Sequence, residues 1–185
     1  RRHAEHEWRA WMLGEEEGAA LSFWLGEPPR VTSPVTAKWI THAESGHAIW
    51  RDEAWTARVD ASPLGFGTLA AHGHLDAMHV SLWSDGDAMV VDPGTGAYYG
   101  DVALRASLAA WEAHNGPVPV CGRSMPMRAG PFLWREHHDV PKMEIVDDAC
   151  VVRFACDGPF MKRSVQMAGK SFRITDEVCG RTAHV

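Results

Sequence analysis

The sequence predicts a mainly β protein: an antiparallel β-sandwich of two sheets, preceded by one or two short α-helices. Two observations support this fold class. From about residue 38 onward, apolar and polar residues alternate in short runs, which is the period of a half-buried strand. Short polar turns separate the runs, and in Ser84-Asp85-Gly86-Asp87 the Asp-Gly pair favours a tight reversal. Many short strands joined by polar turns are typical of a sandwich or a barrel.

The first 25 residues predict a helix instead. Apolar residues recur there at roughly helical spacing, and Gly26-Glu27-Pro28-Pro29 ends the pattern because proline cannot continue the helical hydrogen bonds. We therefore expect a helical tail and linker over residues 1–37 and the sheet domain over residues 38–185. The chain begins with Arg1 rather than Met and ends directly after an apparent strand. We expect a piece of a longer protein, with the sandwich truncated at its C-terminal end.

The remaining elements follow from the same two periodicities. Residues Val102–Glu112 have Ala, Leu and Trp at helical spacing and predict one short helix. The predicted strands are Ala48–Arg51, Ala54–Val59, Met78–Trp83, Ala88–Val91, Val118–Cys121, Met143–Val146, Cys150–Cys156, Phe160–Met167 and Ser171–Val178.

Composition excludes several classes of protein. The hydrophobic fraction of 45% is ordinary for a globular domain, and the net charge of −6 gives no reason to expect binding to nucleic acid or an acidic membrane surface. No apolar stretch is long enough to span a membrane. The four cysteines contain no CxxC pair, which argues against zinc-ribbon and thioredoxin-type sites. They are scattered buried thiols, or pairs in an oxidising compartment; the sequence leaves both open.

The stretch Ala71–Asp92 concentrates the residues that carry chemistry. His72 and His74 would face the same side of an extended strand, because side chains alternate along it. Asp92 follows a predicted hairpin, which would return it beside His74, and His114 in a later turn could supply a third ligand. Two histidines and an aspartate suit zinc or a similar divalent ion, with a position left for water.

A simpler interpretation of the same residues competes with this one. The chain has 11 histidines, so an H-x-H pair can arise by chance, and most histidines lie on the surface or are hydrogen-bonded in a core. Asp-Pro-Gly is also a common turn. Asp76 and His79, in the same stretch, are expected to support the fold.

Four motifs occur in a fixed order along the chain: His72-Gly73-His74-Leu75-Asp76-Ala77, Val91-Asp92-Pro93-Gly94-Thr95, Ala113-His114-Asn115 and Gly130-Pro131-Phe132-Leu133-Trp134. Together they resemble the C-terminal β-sandwich region of the heparinase II/III-like polysaccharide lyases, which include oligoalginate lyases. The resemblance covers about residues 40–180 and is strongest over 71–134. It would make the N-terminal helix the tail of a preceding α/α-toroid domain.

The resemblance implies a bacterial lyase that cleaves uronate-containing acidic glycans, such as glycosaminoglycans or alginate, by β-elimination. In that reaction a base removes the C5 proton beside the carboxylate, and an acid protonates the leaving oxygen at C4. Neutralising the carboxylate makes the C5 proton more acidic. In such lyases the main catalysts come chiefly from the toroid, so the isolated chain is expected to be inactive. The family also favours a periplasmic or secreted location.

The same resemblance implies roles for individual residues, according to their positions in the four motifs. It implies a divalent metal, zinc before others, held by His74, Asp92 and His114. It assigns catalytic roles in the cleft to His72 and to a tyrosine of the Tyr98-Tyr99 pair, with Tyr99 preferred; a packed turn tyrosine is the alternative for that pair. The sequence departs from the usual Thr-Ala-Ala-His-Asn-Thr-Val of the family around His114, where Gly116 and Pro117 follow the His-Asn pair.

Two alternatives to a lyase domain stay open. The first is a cupin-like metal-dependent enzyme, in which H-x-H on a barrel strand binds iron or manganese. That motif requires a glutamate a few residues later, and the sequence has none between His74 and Glu112. The second is a non-catalytic glycan-binding or structural sandwich.

Overall fold

A computed structural model of the chain describes residues 37–118, 126–155, 160–178 and 181–184. The predicted N-terminal helix, and the predicted strand Val118–Cys121 beyond its first residue, lie outside these ranges. The elements, in order, are β1 (Lys38–His42), β2 (His47–Arg51), β3 (Trp55–Asp60), β4 (Val80–Ser84), β5 (Asp87–Val90), α1 (Val102–Leu108), a 3-10 helix (Trp111–Ala113), β6 (Met127–Arg128), β7 (Trp134–Arg135), β8 (Lys142–Val146), β9 (Ala149–Ala155), β10 (Phe160–Ala168), β11 (Ser171–Val178) and β12 (Arg181–His184).

The described strands form two five-stranded antiparallel sheets and a two-stranded ribbon, which confirms the predicted fold class. Strands β1 to β5 follow one another across the first sheet, and β8 to β12 do the same across the second. The ribbon pairs β6 with β7. Each neighbouring pair is antiparallel; short turns join β1 to β2, β2 to β3, β4 to β5 and β8 to β9, whereas the long segment 61–79 connects β3 to β4.

The core lies between the two sheets. Trp50 of β2 meets Phe172 of β11 edge to face, with ring centroids 6.5 Å apart, and Trp55 of β3 meets the same ring at 5.8 Å. The indole N–H of Trp39 on β1 donates to the carbonyl of Asp148, 3.1 Å away, in the turn between β8 and β9. Such aromatic pairs contribute about 0.5–1.5 kcal/mol beyond the area they bury. Trp39, Trp50 and Trp55 therefore join the first sheet to the second.

The predicted helix Val102–Glu112 is interrupted. After α1 the backbone of Ala110 is extended, with φ −86° and ψ 162°, and a separate 3-10 turn follows. The carbonyls that a continuous helix would use are taken by other partners. Ala109 accepts the N–H of Leu75 at 3.0 Å, and Ala110 lies 2.9 Å from Nδ1 of His114. This break sets the position of His114, which the sequence pattern did not anticipate.

The described residues also bear on the cysteines and on membrane crossing. Cys150 is buried and free, as expected for a scattered thiol, and the other three cysteines lie outside the described ranges. Burial raises the pKa of the Cys150 thiol to about 12. Among the described residues, no helix combines the length and the apolar character that crossing a membrane requires.

Candidate metal centre

Three of the residues singled out in the sequence converge on one point. Nδ1 of His74 lies 3.1 Å from Nε2 of His114, and Nε2 of His114 lies 3.3 Å from Oδ1 of Asp92. The third side, from Nδ1 of His74 to Oδ1 of Asp92, measures 3.9 Å. Tetrahedral ligands about 2.0–2.1 Å from a zinc ion lie roughly 3.3–3.4 Å from one another. The three donor atoms therefore fit one face of a zinc site.

Each of the three residues lies outside the strands and helices. His74 belongs to an irregular segment before β4, Asp92 follows β5, and His114 closes the 3-10 turn, where its N–H donates to the carbonyl of Trp111 at 3.0 Å. Oδ1 of Asp92 also accepts the N–H of Gly94 at 2.7 Å, which closes a local Asx turn. These contacts fix the donors without requiring them to share a strand.

The ring of His114 is oriented by its second nitrogen. Nδ1 lies 2.9 Å from the carbonyl of Ala110, which can only accept, so Nδ1 carries the proton. This tautomer leaves the lone pair of Nε2 directed at the other two donors. Metal-binding histidines commonly donate their second ring N–H in this way. The side chain of His114 is 0% exposed, so its orientation is fixed by packing as well.

The two oxygens of Asp92 have different partners. Nη2 of Arg58 donates to Oδ2 at 3.4 Å, while Oδ1 faces His114. Burial alone would raise the pKa of Asp92, but two contacts hold it below its usual range: Nε2 of His114, which donates to Oδ1 when the imidazole is doubly protonated, and the N–H of Gly94. Burial would likewise lower the pKa of His114, yet the contacts with Asp92 and the carbonyl of Ala110 raise it. A charged carboxylate is therefore maintained, with Oδ1 available as a single-oxygen ligand.

A polar cavity of about 430 Å³ opens beside His74 and Asp92. Asp60 and Asp76 line it together with Asp92, and Oδ2 of Asp76 lies 3.4 Å from Nδ1 of His74. Burial, followed by the nearby carboxylates of Asp60 and Asp92, raises the pKa of Asp76 to about 7. Crowded, partly buried carboxylates are stabilised by a cation, since each would otherwise repel its neighbours. The cavity also leaves the side facing His74 open, as an additional ligand would need.

His72 lies apart from this group, and the prediction that it shares a face with His74 is wrong. The segment is not an extended strand: His72 adopts a left-handed backbone with φ 60°, so the alternation of side chains along a strand does not apply. Its N–H donates to the carbonyl of Phe132 at 2.8 Å. The imidazole stacks on Tyr98, with ring centroids 5.7 Å apart and an interplanar angle of 16°.

Four rings, those of His72, Tyr98, Tyr99 and Phe132, form a cluster that we call the aromatic shelf. Tyr98 and Tyr99 are 53% and 82% exposed, so Tyr99 is not a packed turn residue. Arg105, which is buried, places its guanidinium 4.5 Å from the centre of the Phe132 ring. The same guanidinium donates to the carbonyls of Ala97 and Pro131, which supports the shelf from below.

Asp76 and His79 support the local fold, and Asp76 also approaches His74 of the candidate metal centre. The carbonyl of Asp76 accepts the N–H of His79 at 2.8 Å, which closes a tight turn before β4. His79 is 2% exposed, and its Nδ1 accepts the N–H of Asn115 at 3.3 Å. Burial lowers the pKa of His79 to about 4, so the ring is neutral at neutral pH. Both residues brace the segment that carries His74, as expected, and Asp76 lines the cavity as well.

The unusual sequence after His114 has a structural reason. A methyl group at Gly116 would overlap the carbonyl of Ala77, so a side chain there would push the two segments apart. The close approach keeps Asn115 against His79 and Val80. Glycine at this position therefore allows the turn that follows His114 to pack directly onto the segment before β4.

Several site residues were missed by reasoning from the sequence. Arg58 and Arg105 belong to no motif, because their partners lie in separate loops: Asp92 for Arg58, and Thr95, Ala97 and Pro131 for Arg105. Arg163, in contrast, could have been recognised from the sequence. In β10 it occupies the inward register between Met161 and Val165, where alternation predicts an apolar residue. A charge at such a position indicates a buried polar partner.

Comparison with known proteins identifies the family of the chain. The sequence model of the family described as "Heparinase II/III-like, C-terminal" matches residues 37–185. The chain belongs to this family. The match covers both sheets and every residue of the candidate metal centre. At the level of the family, membership of the heparinase II/III-like proteins supports a domain of the polysaccharide-lyase type and a carbohydrate substrate. No curated protein matches the chain.

Proposed function

We propose that this heparinase II/III-like domain supplies a zinc site and one wall of the cleft in a lyase that cleaves uronate-containing acidic glycans by β-elimination. The observation that carries the proposal is the convergence of His74, Asp92 and His114, at spacings suited to one tetrahedral ion, beside an open polar cavity. Family membership supplies the reaction class. A catalytic toroid domain is the partner that the proposal requires.

The donor set favours zinc over harder cations. Two imidazole nitrogens and a single carboxylate oxygen are typical zinc ligands, whereas calcium and magnesium prefer sites built from oxygen. When bound, such an ion supplies fixed positive charge at the wall of the cleft. The protein's own part is to hold the ligands: Ala110 orients His114, and Arg58 and Gly94 orient Asp92.

The aromatic shelf is the proposed contact with substrate. Exposed aromatic rings offer apolar faces on which the C–H face of a pyranose can stack, and a cluster of them is unusual on a free surface. His72 presents an imidazole there, which can donate a hydrogen bond or a proton to a bound uronate. The phenol of Tyr99 is exposed beside it and can protonate the leaving oxygen at C4. We therefore keep His72 and Tyr99 as the catalytic candidates of this chain.

A lyase assay tests the reaction class. The full-length protein is incubated with alginate and, separately, with a glycosaminoglycan, and absorbance in the ultraviolet is followed. Elimination creates a C4–C5 double bond and hence an absorbing product, whereas hydrolysis releases new ends without it. New reducing ends without absorbance would contradict β-elimination. Tyr99→Phe removes the hydroxyl and keeps the ring. Loss of turnover with retained substrate binding supports the role of Tyr99 as the acid.

The aromatic shelf also supports a second candidate, a non-catalytic glycan-binding domain. Stacking requires the rings but neither a proton donor nor a metal. This candidate predicts that the 185-residue chain binds an acidic oligosaccharide and that the full-length protein forms no unsaturated product. Loss of the unsaturated product in Tyr99→Phe or His72→Ala of the full-length protein, with glycan binding retained, would exclude it.

A further inference from the structure

A salt bridge in the second sheet reaches across the core toward the candidate metal centre. Arg163 of β10 and Asp176 of β11 are directly opposite in the antiparallel register. Nε and Nη2 of Arg163 donate to Oδ1 and Oδ2 of Asp176, each at 2.7 Å, which is the bidentate geometry of a strong ion pair. Arg163 is only 4% exposed, so its charge lies inside the sandwich.

The remaining nitrogen of the guanidinium points away from the second sheet. Nη1 of Arg163 donates to the carbonyl of Met78 at 2.9 Å and to Oδ1 of Asn115 at 3.1 Å. Met78 lies in the turn before β4 and adopts a left-handed backbone with φ 66°, a strained conformation that needs support. Asn115 directly follows His114. One side chain of the second sheet thus holds both segments that frame the site.

The side-chain oxygen of Asn115 has both of its acceptor sites filled in this arrangement. Its Oδ1 accepts the N–H of Val80 at 2.9 Å as well as Arg163, and its Nδ2 donates to the carbonyl of Val80 at 2.8 Å. An amide oxygen has two acceptor sites, and both are filled. Because both neighbours of Oδ1 are donors, the orientation of the amide is defined. Asn115 is thereby locked to β4, one residue from the histidine.

We propose that Arg163 and Asp176 are positioning residues that fix His114 in its metal-binding orientation through Asn115. The inference rests on the proposed metal site. Stability alone does not explain the pair, since buried ion pairs can often be replaced by apolar residues at little cost. The inward neighbours of the pair, Met161, Val165 and Ile174, are apolar already. An apolar pair at positions 163 and 176 would lack the N–H group that Arg163 donates to Oδ1 of Asn115.

The matched experiment replaces whole pairs. In the test variant Arg163→Met is combined with Asp176→Leu, which fills the space with apolar side chains. The control combines Lys162→Met with Glu177→Leu, at the adjacent register position of the same two strands, where the ion pair measures 3.8 Å and is about one-third exposed. Zinc affinity is measured by competition with a chromophoric chelator. The spectrum of bound cobalt reports the ligand geometry, and thermal unfolding of the metal-free chain reports the fold.

We expect the test variant to stay folded with a somewhat lower melting temperature, because the carbonyl of Met78 loses its donor. It should bind zinc roughly tenfold more weakly and change the cobalt spectrum. The control should change neither affinity nor spectrum. If the test variant does not fold, Asp176→Asn, which preserves the shape of the side chain, should still weaken binding severalfold. Unchanged affinity and spectrum in the folded variant would overturn this inference alone. Absence of zinc binding by the unsubstituted chain would instead overturn the proposed metal site, and this inference with it.

Discussion

Arg58 and Asp92 approach each other at 3.4 Å between Nη2 and Oδ2, and this contact leaves Oδ1 as the oxygen that faces His114. Arg58 lies on β3, whereas Asp92 follows β5, so two elements of the first sheet determine how the carboxylate is presented. The contact of Arg58 with Oδ2 disfavours rotation of the carboxylate into a position where both oxygens would face a metal. The geometry therefore favours a compact three-ligand site with a further position open to the cavity.

Removing Arg58 should weaken the site without removing a ligand. In Arg58→Met, Oδ2 of Asp92 loses its partner and the carboxylate can rotate, so we expect roughly tenfold weaker zinc binding. Competition with a chromophoric chelator measures the change. Arg153→Met, which removes an arginine paired with Glu144 in the second sheet, serves as the control and should bind zinc normally. Equal affinities for the two variants would show that Arg58 does not orient Asp92.

Tyr99 should matter for glycans and not for the fold. Because its side chain is 82% exposed, Tyr99→Ala should change the free energy of unfolding by no more than about 0.5 kcal/mol. Loss of the ring should weaken binding of an acidic oligosaccharide by about 1–2 kcal/mol, on the order of tenfold, if it stacks on a sugar. Calorimetric titration and denaturant unfolding measure the two quantities. Val140→Ala, at another exposed apolar residue, is the control. Unchanged glycan affinity in Tyr99→Ala would remove Tyr99 from the binding surface.

His138 should make stability depend on pH. Burial against Trp111 and Phe154 lowers the pKa of His138 below 6.5, so the unfolded state takes up the proton first as the pH falls. Stability is then fully present above about pH 6.5 and declines below it. His79, with its pKa lowered to about 4, adds to the same decline between these values.

The variant His138→Gln should lose stability less steeply over this pH range, because the titrating group is absent. Denaturant unfolding at a series of pH values between 4 and 8 gives the slope. His42→Gln, at an exposed histidine, is the matched control and should retain the slope of the unsubstituted chain. A slope that His138→Gln leaves unchanged would show that burial of His138 does not couple folding to protons.

Local patterns were sufficient for the strands and for much of the site. Alternation and polar turns located β2, β3 and β8 to β11 within a residue or two, because each hairpin is specified by its own sequence, whereas β1 and β12 were not among the predicted strands. The hairpin of β4 and β5 was also recognisable, and the structure places Asp92 beyond it, beside His74.

The predictions that failed concern residues whose positions depend on local backbone conformation or on partners distant in the chain. The left-handed conformation of His72 turned it toward Tyr98, and the same-face argument could not foresee this because no turn residue such as glycine occupies the position. Arg163 and Asn115 lie 48 residues apart in the chain, and only the packing of one sheet on the other joins them. In the sequence, that contact is indicated by an arginine and an aspartate at inward-facing strand positions, where apolar residues are expected.

The most direct test of the account is the zinc content of the chain after dialysis against a weak chelator. We predict about one zinc ion per unsubstituted chain. His74→Ala and His114→Ala should each lose most of it, whereas His72→Ala, which alters the neighbouring shelf, should retain it. Zinc content that survives both ligand substitutions, or that is lost only in His72→Ala, would contradict the assignment of His74, Asp92 and His114 as the metal centre.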